Sequence, residues 1–504
     1  MARDLVLAID IGTGSVRAAA VDQTGRILHI ARSEQAQMVP AFGWAEQRAE
    51  DWWQGTRATI GETLAALGAD AARLGCVVAC GQMHGTVLVD AAGNPTRASV
   101  PLWNDKRTTA LVDAFERAHP PAEYLPLTAN PATPAWPGFK LQWLRAQDRA
   151  AWEAAAQVLM PKDFVNLRLT GRCAMDWNDA SCSFLADPAT RDWSPALLAT
   201  FGLEAAKLPP IRQPHEMLGG ITAQAARETG LPEGLPVLVG GADYPTALLG
   251  SGACAPGLAS DVTGTSTIIT MVAPAPVLDA QICNVGFGDS LWGAFVLLES
   301  GGDAVRWARR ALHDDALSYE AVTARAAAAP AGAQGLFFLP YLTGERLGAH
   351  RNARAQFFGL GAAHGLADLH RAVLEGVAFA SARTMQQMQP PGSPALQRVI
   401  ASGGGAKAAL WLQIKASIYG VPVLVPREAE CGLIGCAVIA ARGTGRFTRY
   451  DQAASSLVAY EREIAPQPGW VEKYRAMQPV FDAIYRHSQT LYDRLDALAD
   501  VPTT

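Results

Sequence analysis

The string DIGTGS opening at Asp10 recurs, slightly altered, as DVTGTS opening at Asp261, half a chain away. Each copy sits in the same local setting. In the first, LVLAI (Leu5–Ile9) is an apolar run of β-formers, the Gly/Thr/Ser stretch is a tight turn, and VRAAAV (Val16–Val21) returns as a second strand. In the second, GLAS runs into Asp261 and Val262, turns through Thr263 to Ser266 and leaves as TIITM, Thr267–Met271. Turns built only of Gly, Thr and Ser offer bare backbone N–H groups and hydroxyls, which bind phosphate oxygens. Two such hairpins predict two related lobes closing on one nucleotide. A chance repeat in a Gly-, Thr- and Ala-rich chain is the alternative.

At 504 residues the chain exceeds one core, so about two to four domains are expected. A net charge of −5 with interspersed signs argues against nucleic acid or an anionic membrane as partner. The cysteines form no C-x-x-C pair, so buried reduced thiols are expected rather than a zinc site or disulfide framework. The apolar run at the N-terminus is too short for a signal peptide and is broken by Asp10. The uncharged stretches Tyr244–Ser260 and Val262–Leu278 are interrupted by Pro, Gly, Thr and Ser, so neither spans a membrane. A cytoplasmic protein is expected.

The first hairpin leads to a third strand, then a helix from about Arg48 to Leu67 and a strand at Cys76–Ala79 ending in GQMHG. The stretch from about Leu125 to Ser194, rich in Trp, Pro and Asp, reads as an irregular insertion with one helix around Lys140–Arg145. PVLVGG (Pro236–Gly241) is a buried-type strand delivering Asp243. The second half repeats the scheme, with a strand, Gly-rich turn and helix start at RVIASGGGAK and a helical tail after Arg446. Alternating strands and helices, each half opening on an antiparallel hairpin, give an α/β fold with a mixed sheet in each half.

Several residues could carry chemistry. Asp10, at a strand end beside a phosphate-type turn, could hold Mg²⁺ and its water shell, or satisfy its own turn. Asp243 could accept a proton from a hydroxyl at the C-terminal edge of a sheet, or simply cap a helix. His84 and the Met83 backbone suit a polyol hydroxyl, and the sequence leaves that role open. Gly403–Gly405 let backbone approach a ligand; with Ala408 and Glu428 they also form a weak dinucleotide fingerprint, which makes a nicotinamide-dependent oxidoreductase the distant alternative. No P-loop and no protein-kinase motif pair occurs.

Together these residues resemble the FGGY carbohydrate kinases, most closely the xylulokinase branch. The likeness runs from Leu5 to about Gly445 through DIGTGSVRA, GWAEQ with Trp52 and Trp53, GQMHG, LWNDKR, MPKDF, GGAD, FLPYLTGER, ASGGGAK and A-x-F-x-G-L followed by D-L-x-x-A-V-L-E. The resemblance implies two duplicated ribonuclease-H-like lobes of the actin/hexokinase/Hsp70 type, mixed sheets flanked by helices with a cleft between them. It implies ATP-dependent phosphorylation of a ketopentose, D-xylulose foremost. Asp243 would be the general base, and Asp10 would assist Mg²⁺. Gly12, Thr13, Gly264, Thr265 and Ser266 would grip the ATP phosphates, with Gly404 and Gly405 at the adenosine. Met83, His84, Trp103, Asp105 and Tyr244 would hold the sugar. The expected domains are 1–247 for sugar and base, 248–445 for ATP, and 446–504 as a helical extension packing on the lobes. Family membership would also make a homodimer an expected state, although no stripe of residues singles out an interface.

Departures from the family pattern bear on the sugar. Tyr244 stands where the xylulokinase-like pattern has Asn, exchanging an amide for a bulky phenol. Cys431 and Gly432 replace a small Gly-rich run, and Ala135 and Ala146 leave the N-terminal signature partial. Met83-His84 stands where the glycerol kinase branch would have Arg-Glu. Ribulose, L-xylulose, erythrulose or a polyol are the alternative substrates, and a non-catalytic sugar sensor on the same fold is the alternative of another class.

Overall fold

Leu5–Ile11 forms β1, buried at every residue except Val6, as its unbroken apolar run dictates for a strand covered on both faces. Ser15–Val21 (β2) pairs antiparallel to β1, with Asp10 opposite Arg17, and Ile27–Glu34 (β3) pairs antiparallel to β2. Helix α1, Ala49–Leu67, begins with Glu50 and Asp51 at its positive end and buries Trp52, Trp53, Thr56, Ile60 and Thr63 at helical spacing against β2 and β3. Leu74–Gly81 (β4) returns parallel to β1. Met217–Gly220 (β5) and Pro236–Leu238 (β6) extend the sheet beyond β4, and Gly241–Ala242 (β7) pairs parallel with the end of β4. The resulting order is β5-β6-β4-β1-β2-β3.

The second sheet repeats this plan. Leu258–Thr263 (β8) and Thr267–Ala273 (β9) form the second hairpin; Cys283–Phe287 (β10) pairs with Leu291–Leu298 (β11), which pairs with β9. Arg398–Ser402 (β12) runs parallel to β8 on the other side, followed by Val423–Pro426 (β13). In both sheets an antiparallel meander is continued, beyond its first strand, by a parallel strand. The duplication seen in the sequence is therefore a duplication of topology. The computed structural model describes residues 3–313, 316–347 and 350–499, so residues 1–2, 314–315, 348–349 and 500–504 of the expected domains lie outside the described residues.

Between the halves of the first lobe lies the stretch expected to be irregular. It is instead largely helical, with helices at Pro121–Thr128, Pro137–Gln147 (α2) and Pro161–Thr170 (α3). Pro137 and Pro161 sit at helix starts, where their missing N–H has no intrahelical partner to lose, and Pro126 is accommodated inside the first of these helices. An aromatic cluster holds the segment: the Phe139 ring lies 5.0 Å from Phe201 and 5.2 Å from Phe184.

Helix α4, Asp243–Ser251, begins directly after β7. In the second half come α5 (Gly302–His313), α6 (Leu366–Gln387), α7 (Ala409–Tyr419) and α8 (Cys431–Gly443). Helix α8, although it follows the second sheet, packs on β1 and β4 of the first and crosses α4. At that crossing Gly250 abuts the Cys431 carbonyl and Gly435 abuts the Thr246 carbonyl, leaving no room for a Cβ on either glycine. The tail contributes more than helix. Tyr460–Ile464 (β14) adds an antiparallel edge strand to β13, and Pro468–Ala499 (α9) lies against α6 and α7. No helix among the described residues is long and apolar enough to cross a membrane.

Candidate active site

A cleft of about 780 Å³ opens between the two sheets. Asp10, Gly12, Thr13, Arg17, Met83, His84 and Trp103 line it from the first lobe, Asp243 and Tyr244 from the start of α4, and Ser260, Ser266, Ser402, Gly403 and Glu430 from the second. The strand ends, the two hairpin turns and a helix start thus converge on one space.

The first hairpin turn is closed by the Gly12 N–H donating to Ser15 O at 3.0 Å. A polar network fixes it from behind. Gln47 Nε2 donates to Thr13 O (2.7 Å), Gln82 Nε2 to Gln47 Oε1 (2.8 Å), and Thr13 Oγ1 to Gln82 Oε1 (3.0 Å). Trp52 Nε1 also donates to Gln47 Oε1, at 3.0 Å. These contacts explain why GWAEQ, the paired tryptophans and GQMHG belong to one signature. Their glutamines escaped the sequence reading because partners up to 69 residues apart carry no local pattern.

Asp10 is the penultimate residue of β1 and is ion-paired with Arg17, which also pairs with Glu430 from the second lobe. Burial pushes the Asp10 carboxyl above the usual carboxylate range, an effect opposed by Arg17 and reinforced by Glu430. The second copy is wired differently. Asp261 accepts from Lys415 Nζ (2.8 Å), Tyr419 Oη (2.7 Å) and Thr263 Oγ1 (2.6 Å), so its carboxylate braces the hairpin and is fully buried. Asp261 faces Ile269 across its hairpin where Asp10 faces Arg17.

Asp243 is the first residue of α4, and its Oδ1 accepts the Tyr244 N–H at 2.6 Å. Burial, then the negative charge of Asp10, raise its pKa to about 7. A buried network supports the loop before it: Asn166 Nδ2 donates to Val239 O (2.8 Å), Lys162 Nζ to the same carbonyl (3.3 Å), and Ala242 N–H to Asp176 Oδ1 (3.3 Å). Lys162 and Asp163 come from MPKDF, and the Lys162 ammonium also pairs with Asp163 and, at 3.1 Å, with Asp176.

In the same cleft, His84 adopts a left-handed backbone (φ +67°) with its ring edge-on to Trp136 at 4.9 Å. Its Nδ1 is buried without a partner, and burial together with the nearby Lys140 ammonium holds the imidazole neutral. Met83, Ala135, Trp136, Tyr244, Cys283, Phe295 and Leu347 form an apolar wall beside it. Tyr244 Oη is hydrogen-bonded to Thr270 of β9, so the phenol is already engaged across the lobes. Trp103 Nε1 donates to Thr13 Oγ1 at 3.0 Å, tying Trp103 to the first hairpin turn.

Not every expected residue faces this space. Asp105 is fully buried and saturated by Ala45 N–H (2.7 Å) and by Arg107 Nε (2.8 Å) and Nη2 (2.7 Å), with Arg107 stacked 3.7 Å over Trp44. Its carboxylate therefore builds the wall rather than meeting the sugar. Gly264 and Thr265 are exposed beside Ser266 without lining the cavity, their carbonyls accepting from Gly302 and Asp303 at the start of α5 (3.0 and 2.9 Å). In the Gly triplet it is Gly403, at φ +78°, that lines the cleft; a Cβ on Gly405 would lie 2.7 Å from the Thr263 side chain, and Gly404 faces open space.

Asp10 Oδ1 is a buried carboxylate oxygen with no hydrogen-bond partner, which fits a cation there. Among the described residues no group of three or more metal-ligating side chains occurs, so such a cation would take most of its shell from water and phosphate, as Mg²⁺ does.

Two topologically equivalent lobes, with a hairpin turn from each and a half-buried carboxylate at a helix start, define the actin/hexokinase type of phosphotransferase fold. Residues 5–250 match the N-terminal domain of the FGGY family of carbohydrate kinases, and residues 259–444 match its C-terminal domain. The chain belongs to that family and is a carbohydrate kinase. It is 28% identical over 495 residues to a xylulose kinase of Bacillus subtilis, covering 96% of this chain and 97% of the relative. It is 30% identical over 511 residues to an autoinducer-2 kinase of Yersinia enterocolitica, covering 97% and 96%. The crystal structure of a xylulose kinase from Rhodospirillum rubrum superposes with a TM-score of 0.90 at 29% identity, covering 97% of this chain and all of the other.

Proposed function

We propose that this carbohydrate kinase transfers the terminal phosphoryl group of ATP to the primary hydroxyl of a small ketose, D-xylulose foremost. The observation that carries this reading is Asp243, a half-buried carboxylate whose pKa is raised to about 7 in the cleft shared by both hairpins. A base whose pKa lies close to the working pH is suited to accept a hydroxyl proton. As that proton moves to Asp243, the hydroxyl oxygen bonds to the γ-phosphorus and the bond to the bridging oxygen of ADP breaks. Little covalent help is needed, because phosphoryl transfer depends on positioning and charge stabilisation.

The chain's own residues divide these tasks. The Thr13 N–H and Ser266 would present donors to the phosphates, Gly12 shaping the turn that exposes them, with Gly403 and Gly404 toward the adenosine. Arg17 supplies positive charge where the transferred group would pass. Asp10 would hold the Mg²⁺ carried with ATP, which supplies charge neutralisation on the phosphates. His84 and the Met83 backbone would hold the ketose hydroxyls. We assign residues 1–247 to sugar and base and 248–445 to ATP, with the tail buttressing both.

A second reading, a different short ketose or polyol, is favoured by Tyr244 and by the resemblance to the autoinducer-2 kinase. An ADP-release screen over D-xylulose, D- and L-ribulose, L-xylulose, erythrulose and glycerol tests both. Turnover with D-xylulose at least tenfold above the rest supports the first; preference for another member supports the second, and no ADP release with any sugar contradicts both.

A further inference from the structure

Lys140 is a cation buried in the wall behind the sugar end of the cleft, and the chemistry described above does not use it. It lies on α2, is 0% exposed, and its Nζ donates to the His84 carbonyl at 2.9 Å. Burial brings the ammonium down to about 7; Asp105 favours its charged form and Arg107 opposes it. Asp105 is itself committed to Arg107, so Lys140 does not form a close ion pair with it. A buried ammonium with so little compensation is costly, and needs a reason beyond packing.

The reason lies in the residue it holds. His84 is one of few non-glycine residues in the left-handed region, a backbone state that persists only when its surroundings impose it. Two neighbours impose it here. Lys140 grips the carbonyl, and Gly85 packs so closely on Pro161 that a Cβ there would lie 2.7 Å from the proline ring. Trp136, anchored by its Nε1 to Pro131 O at 2.6 Å, then meets the imidazole edge-on. The outcome is an imidazole fixed in the cleft wall, with Nδ1 sealed on the protein side of the ring.

We propose that Lys140 is a positioning residue for the sugar: by holding the His84 carbonyl it fixes the imidazole in the cleft wall, so that the ring edge open to the cleft meets a substrate hydroxyl. This rests on the ketose kinase reading of the cleft. Removing the ammonium should weaken the sugar alone, through His84, and leave the nucleotide untouched.

The test is a double-mutant cycle of Lys140→Met and His84→Ala, with ketose KM, ATP KM and kcat measured for each. Lys140→Met should raise the ketose KM about tenfold or more with the ATP KM unchanged, and the double variant should be no worse than His84→Ala. Lys140→Gln, which keeps a donor, should lie between wild type and Lys140→Met, and it serves if the methionine variant does not fold. Additive penalties, or an equal rise in both KM values, would overturn the proposal. A crystal structure of the variant separates this claim from the functional reading: residue 84 should leave the left-handed region even if no ketose is a substrate. An unchanged residue 84 would overturn the positioning role, whereas absence of turnover in the wild type would contradict only the ketose reading.

Discussion

The Tyr244 hydroxyl is hydrogen-bonded to Thr270, joining the residue after Asp243 to a central strand of the opposite lobe. The ring also packs 5.5 Å from Phe295 and fills the apolar wall of the cleft. A side chain whose polar atom is committed elsewhere offers the sugar bulk but no hydrogen bond. Tyr244→Asn should therefore raise kcat/KM for D-xylulose relative to erythrulose by about tenfold, since one added polar contact is worth roughly that much discrimination. Tyr244→Phe should leave this ratio within about twofold and cost about 1 kcal/mol of stability through the orphaned Thr270. Competition assays with both ketoses, and thermal melts, check the two variants.

The raised pKa of Asp243 has consequences for rate and for stability. Below about 7 the carboxyl is protonated and cannot act as a base, so kcat/KM should fall on the acid side with a limb near that value. Its folded pKa exceeds the ordinary 3.8, so the folded state holds an extra proton between the two values and stability from this group declines as pH rises through that window. Asp243→Asn should abolish the transfer yet stabilise the fold at pH 8. The gain is about 1.4 kcal/mol for each tenfold by which folding tightens the carboxyl's hold on its proton, and it shrinks toward pH 5. Melts of the wild type and variant across pH 5–8 check the sign; a variant less stable at pH 8 than at pH 5, relative to wild type, contradicts it.

Asp10 helps to raise the Asp243 pKa through its negative charge. Asp10→Asn should move the acid limb to lower pH while reducing kcat, because Asp243 would ionise more easily beside a neutral amide. A pH–rate profile of residual activity reads the displacement, and a limb moved upward argues against the coupling.

Behind Asp243, Lys162 neutralises Asp163 and Asp176, with all three side chains fully buried. Lys162→Met leaves uncompensated carboxylates and should lower stability by about 3–5 kcal/mol. Chemical denaturation with folded-state activity measured in parallel checks the value, and a loss below about 1 kcal/mol, the scale of an exposed ion pair, would show the network to be dispensable.

The duplicated hairpins were legible because a Gly/Thr/Ser turn between apolar runs is a local pattern, and both copies became equivalent strands in equivalent sheets. Asp243 was legible from a buried-type strand ending at a carboxylate. The contacts that set Asp261 apart from Asp10 were hidden, since Lys415 and Tyr419 reach Asp261 from 154 and 158 residues away. Asp105 misled for a related reason. Its motif marks the cleft wall, but only the fold shows that Arg107, two residues on, turns the carboxylate inward. The helices of the 121–170 stretch were hidden by prolines that begin helices, and β14 by a polar edge strand, YEREI, whose partner lies on β13.

In the proposed mechanism Asp243 serves the phosphoryl transfer and not the binding of ATP. The decisive experiment is Asp243→Ala assayed for ketose-dependent ADP release alongside calorimetric titration with ATP and Mg²⁺. Transfer should fall by about 10³-fold or more, a typical scale for loss of a general base together with its positioning, while the ATP Kd stays within about threefold, a change of roughly 0.6 kcal/mol. Near-normal turnover, or loss of ATP binding in step with activity, would contradict it.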